Sequence, residues 1–141
     1  MSVTPAQVNF NLVARGTAVG NSSVNITTTW TSVTLGSSIT LYGYFTSSSA
    51  ALIGSNSGAN IPSFAIFGEM TTGLPTSYTA FTQTGPFGVA GASLQLFSET
   101  VTGSDTGNRT DALSLMLDLS NLRELPADTY TGTLIIEAQD I

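Results

Sequence analysis

The chain has 141 residues, a net charge of −6 and only 9% charged residues, with no histidine and no cysteine. Its polarity comes from 18 serines and 22 threonines, and lysine is absent. These counts remove the usual nucleophiles, proton shuttles and thiolate metal ligands, so no cofactor and no enzymatic activity is expected. The acidic balance disfavours phosphate backbones and anionic lipid as partners.

A hydrophobic share of 41% is too high for a disordered chain, and the length suits one domain with a sizeable core. No window approaches the roughly 18 apolar residues that span a membrane, so no membrane insertion is expected. The opening MSVTPAQVNF shows neither the basic stretch nor the apolar run of an export signal. Missing lysine and cysteine, with the hydroxyl excess, nevertheless lean towards an extracellular or cell-surface location, which would make Met1 a replacement for a removed leader.

Period-two alternation dominates the chain. Val8, Phe10, Leu12 and Ala14 alternate with Asn9, Asn11, Val13 and Arg15 and read as a first strand. Val24, Ile26, Thr28 and Trp30 form a second series; Ile39, Leu41, Gly43 and Phe45 form a third. Further strands are expected at Phe64 to Gly68, Tyr78 to Gln83, Ser93 to Thr100, Leu113 to Leu119 and Tyr130 to Ala138. That makes about eight. The stretches between them are rich in Gly, Asn and Pro, which supply positive φ or remove ladder donors. Helix is expected only as one 3₁₀ turn, within Ser48 to Ile53 or around Leu122.

Short strands without helices between them predict an all-β fold, a single antiparallel β-sandwich of immunoglobulin-like or jelly-roll type. Trp30, Phe10, Phe45, Phe64, Phe97 and Tyr130 are the expected aromatic anchors of its core. The whole chain, 1–141, is read as one domain.

Several segments suggest chemistry. Glu99, Asp105, Asn108 and Asp111 form the densest oxygen cluster, the stock a calcium site would draw on, but their spacing is irregular and a turn in which Arg109 pairs locally is the better reading; no metal is assigned. Glu69, Glu99, Asp105 and Asp111 are also the only carboxylates a glycosidase could use, and nothing in their spacing selects a pair. TGPFGVAGA, residues 84–92, lacks the lysine and the following helix of a phosphate loop and reads as a loop or bulge. Tyr42 and Tyr44, with Phe67 and Phe81, could present an aromatic patch on which sugar rings stack, which makes a glycan the alternative partner. Sequons stand at Asn21, Asn25 and Asn108.

The run LPADTYTGTLIIEAQ, Leu125 to Gln139, reads on its own as a turn at Pro126 and Asp128 followed by a strand, with the Tyr130 hydroxyl placed to tie the corner. It resembles the terminal strand of secreted bacterial immunoglobulin-like subunits, the pilins of archaic chaperone-usher pili and the related spore coat protein U domain. The resemblance implies assembly by strand donation, in which an incomplete sandwich is completed by the N-terminal segment of a neighbour. The segment that would be donated is Val3 to Arg15, with Val8, Phe10, Leu12 and Ala14 as the exchanging side chains. The same residues also read as the first strand of a closed sandwich. The expected function is a non-enzymatic structural or surface protein that self-associates, with a carbohydrate-binding module or adhesin as the alternative.

Overall fold

The computed structural model describes residues 1–141, and the chain forms an all-β, antiparallel sandwich. Its strands are β1 (Ser2–Thr4), β2 (Thr17–Val19), β3 (Val24–Trp30), β4 (Ser38–Tyr44), β5 (Leu52–Gly54), β6 (Asn60–Ile61), β7 (Ile66–Met70), β8 (Thr79–Ala80), β9 (Ser93–Thr100), β10 (Gly107–Asp118), β11 (Tyr130–Thr131) and β12 (Ile135–Asp140). One layer runs β1-β3-β10-β7-β8, with β2 paired to the far end of β10. The other runs β12-β4-β9, and a small sheet, β11-β5-β6, stands apart.

Where alternation met a second layer, it set the faces. Val24, Ile26 and Thr28 of β3 are buried, as are Leu113, Leu115 and Leu117 of β10 and Ile39, Leu41 and Phe45 on and beside β4. Residues between them on β3 and β10 turn outwards, where cross-strand hydroxyl pairs such as Thr27 with Thr110 and Ser23 with Ser114 replace ion pairs. A bulge opposite Leu41 and Tyr42 gives β9 one extra residue, and Leu96 and Phe97 both point into the core as a result.

The strand between the layers is the least expected element. Thr79 and Ala80 pair with β7, the Phe81 amide donates to Ile66, and Gln83 then exchanges both backbone bonds with Ser93 of β9. One short segment thus passes from one sheet to the other and closes that side of the sandwich. Its Phe81 ring is 0% exposed. The ring sits between Gly43 of one layer and Gly68 of the other, where a β-carbon would lie 3.2 Å from it on either side. Phe45 meets it edge-on at 5.3 Å.

Four expectations need correction. Residues 8–15 form no strand; pairing at the N-terminal end is confined to β1 and β2, because the Asn9 amide and carbonyl are both taken by Asn21 rather than by a neighbouring strand. Phe64 is no anchor: it lies in the one 3₁₀ turn, Ser63–Ala65, with 49% of its surface exposed, and Phe81 fills the core instead. That turn is also not where helix was expected. The expected last strand breaks at residues 132–134 into β11 and β12, because Gly132 passes so close to the Ala51 carbonyl that no β-carbon fits. Twelve strands, from two residues (β6) to twelve (β10), therefore stand where about eight were read.

Replacing Phe81 with alanine removes the wedge between the two glycines and is expected to cost about 3–5 kcal/mol, read as a lower urea midpoint with the slope unchanged.

Candidate functional site

The side of the sandwich opposite the crossing strand is not closed. β12 pairs only with β4. Ser38 and Ile141 exchange both backbone bonds, at 2.8 and 2.9 Å, and the register runs from Ile135 opposite Tyr44 to Asp140 opposite Ile39. Bonding alternates along an antiparallel pair. The amides and carbonyls of Ile135, Glu137 and Gln139 therefore turn to β4, and those of Leu134, Ile136, Ala138 and Asp140 point away from the sheet. These are four residues' worth of unpaired donors and acceptors on an edge about 20 Å long.

Beside that edge runs a groove of about 710 Å³, floored by Val24, Phe45, Ile66, Leu115 and Leu117 and flanked by Leu134 and Ile136. Its other wall is the chain's own N-terminal segment, Val3 and Pro5 to Phe10 with Leu12. Val8 and Phe10 are half-buried there; Leu12 is 37% exposed. Ala14 is exposed and lines a neighbouring cleft of about 420 Å³ with Arg15 and Arg123. The alternation seen in the sequence therefore does aim Val8, Phe10 and Leu12 at apolar surface, while the backbone of the segment makes no ladder with β12.

The entrance to β12 is held by Asp128 and Tyr130. The Asp128 carboxylate accepts from the Ser57 amide and hydroxyl, each at 2.7 Å, from the Asn56 amide and side chain, and from the Ser55 hydroxyl. The Ser57 amide and hydroxyl are the main reason that its carboxyl is held far below the ordinary range. Tyr130 donates its hydroxyl to the Pro126 carbonyl at 2.8 Å, the corner tie expected from the sequence. Both contacts fix the turn that leads into β11, from which the chain continues to β12.

The aromatic residues assemble differently from expectation. Phe81 is in the core, and Phe67 belongs to β7 in the other layer, so neither joins Tyr42 and Tyr44. Phe87 does. It stacks on Tyr44 at 6.1 Å and 24°, and meets Tyr42 edge-on at 6.1 Å. Gly88, with φ of +73°, brings the loop so close that a β-carbon would lie 2.5 Å from the Tyr44 ring. The hydroxyls are engaged as well, Tyr42 to Gln95 and Tyr44 to Glu137 at 2.9 Å. The Glu137 bond is the chief cause of a raised Tyr44 pKa. Both rings are half-buried beneath this loop.

The acidic segment resolves into an arginine-centred network. Arg109 donates to both oxygens of Asp111, at 2.8 and 2.7 Å, and to Glu99 at 2.7 Å. Its guanidinium lies 4.1 Å from the centre of the Phe97 ring. Asp111 is fully buried. Burial alone would raise its pKa, but the hydrogen bonds from Arg109 and Thr72 and the Arg109 charge outweigh that and lower it. Glu99 and Asp111 thus converge on a cation the chain supplies itself, and no three acidic side chains gather into a metal-binding group. No helix is long and apolar enough to cross a membrane. Of the sequon asparagines, Asn25 and Asn108 are exposed on β3 and β10, while the Asn21 side chain accepts the Asn9 amide.

Two predictions follow from these carboxylates. Converting Arg109 to leucine leaves Asp111 buried without its partner and is expected to cost about 3–5 kcal/mol in chemical denaturation. Asp111, Asp118 and Asp128 all have pKa values lowered by folding. Their stabilisation is therefore complete above the unfolded carboxylate value of about 3.9 and is lost as pH falls below it. Denaturation midpoints are expected to be level from about pH 7 to 5 and to drop below about pH 4, less steeply in Asp128→Asn.

No family model, no curated protein and no solved structure matches this chain.

Proposed function

We propose that the protein is a non-enzymatic structural subunit, extracellular or displayed on a cell surface, that assembles by placing its N-terminal segment, Val3 to Arg15, in the groove of another copy. One observation carries the reading: an apolar groove beside the unpaired edge of β12, next to a segment whose alternate residues suit that groove and whose backbone beyond β1 has no strand partner. A segment laid against β12 would gain the ladder that Leu134, Ile136, Ala138 and Asp140 offer, while Val8, Phe10 and Leu12 cover apolar surface, the chemistry of β-strand addition.

Four further features support the reading. The opposite side is already bridged by the Phe81 strand, which leaves the groove side as the open one. Only Glu137 and Asp140 bring charge to β12, and Glu137 is tied to Tyr44; little therefore repels an incoming strand. The run Leu125 to Gln139, which forms this edge, resembles the terminal strand of pilin subunits. The hydroxyl-rich, lysine-free surface suits a protein that works outside the cell.

Light scattering and electron microscopy of the chain, refolded at high concentration, test the proposal. Oligomers or fibres are expected, together with their loss on deleting residues 1–15 and tight binding of a peptide spanning residues 3–15 by the truncated chain. Phe10→Asp should still fold and should cap growing assemblies, because it can receive a segment but not donate one. A full-length chain that remains monomeric and a truncated chain that ignores the peptide would overturn the reading.

A further inference from the structure

Beyond β1, whose Ser2–Thr4 pair with β3, the N-terminal segment is fastened to its own chain at one small place. The Asn9 amide donates to the Asn21 side-chain oxygen at 2.9 Å, and the Asn21 amide donates to the Asn9 carbonyl at 2.9 Å. Immediately before it, Gly20 has no side chain. A β-carbon there would lie 2.5 Å from the Val8 methyl and 3.4 Å from the Phe10 ring, so Val8 rests in the space that the glycine leaves. Gly20 is in turn fixed to the floor of the groove, its amide donating to Leu115 at 2.8 Å. Between Pro5 and Asn11 the segment has no other backbone hydrogen bond.

These contacts put Val8 and Phe10 over the surface that an incoming segment would cover. Two copies of the same side chains cannot share that surface. We propose that Gly20 and Asn21 form an intramolecular latch that seats the chain's own residues 8–10 in the groove and competes with a second copy for it. The proposal rests on the assembly reading above and adds its regulation. While the latch is closed the chain is at once a poor acceptor, because its groove is partly filled, and a poor donor, because its segment is held. Opening it frees the groove together with the residues after β1 that would fill another copy's groove, while β1 stays paired with β3. The fastening consists of one backbone bond and one bond to the Asn21 side chain, fewer than the ladder β12 can supply, so the exchanged arrangement is favoured once partners are concentrated.

A fluorescent peptide of residues 3–15 is the probe. Its apparent affinity for the full chain is reduced by the fraction of molecules with an open groove, so removing one latch hydrogen bond should tighten apparent binding about tenfold. Asn21→Ala is expected to do this and to speed association. Asn21→Asp keeps an oxygen acceptor for the Asn9 amide and should bind like the natural chain. Gly20→Ala drives Val8 from its seat and should match Asn21→Ala; if it folds poorly, Val8→Ala loosens the same contact from the other side. Faster amide exchange at Asn9 in Asn21→Ala, without peptide, is the accompanying structural readout. Equal peptide affinity in the natural chain, Asn21→Ala and Val8→Ala would overturn the latch while leaving the assembly reading intact. A truncated chain that binds no peptide would overturn the assembly reading, and the latch with it.

Discussion

Everything about this sandwich depends on how Phe81 is held. A fully buried phenylalanine ring between two layers normally pushes them apart, and here it does not because Gly43 and Gly68 face it from either side. That close fit lets the segment 79–83 bond to β7 at one end and to β9 at the other, and so one long side of the molecule is sewn shut by backbone hydrogen bonds. No equivalent strand serves the other side, where the short β1 and the edge of β12 stand apart over an apolar groove. The asymmetry between a sealed side and an open one is the architectural basis of the proposed assembly.

Much of this was legible in the residues, and what was missed was missed for definite reasons. The alternating series in β3, β4 and β10 read correctly because each has a partner layer to bury one face, so periodicity and burial agree. Val8 to Ala14 carries the same period yet forms no strand, since alternation reports which side chains are apolar and says nothing of whether an edge is available to pair with. Phe64 and Phe81 were exchanged in the expected core, because the decisive fact is two glycines distant in sequence, each unremarkable alone. The Tyr130 corner was readable because tyrosine and turn lie four residues apart. The Asp128 clamp was not, since Ser55, Asn56 and Ser57 belong to a loop some seventy residues earlier. The latch was hidden for a similar reason: Asn21 appeared as part of a sequon, and its bond to Asn9 depends on a bend that no local pattern announces.

With so few charges, the protein concentrates electrostatics at two points and leaves the rest to hydroxyls. Arg109 neutralises the one buried carboxylate and also spreads over Phe97, so a single side chain ties β10 to β9. Asp128 gathers amides and hydroxyls from residues 55–57 and thereby ties the loop between β5 and β6 to the turn before β11. Elsewhere, pairs such as Thr40 with Ser98 bridge neighbouring strands without the desolvation cost of ion pairs. The outcome is a pair of sheets whose outer faces are bridged largely by hydroxyl groups.

The pairing of β12 with β4 also sets an order of events during synthesis. Residues 38–44 are made long before residues 135–140, and one edge of β4 has no partner until those last residues appear. β10, the hub of the other layer, likewise arrives after β3 and β7 have been waiting for it. The nascent chain therefore carries unfinished edges for most of its production time, and closing such distant contacts is intrinsically slow.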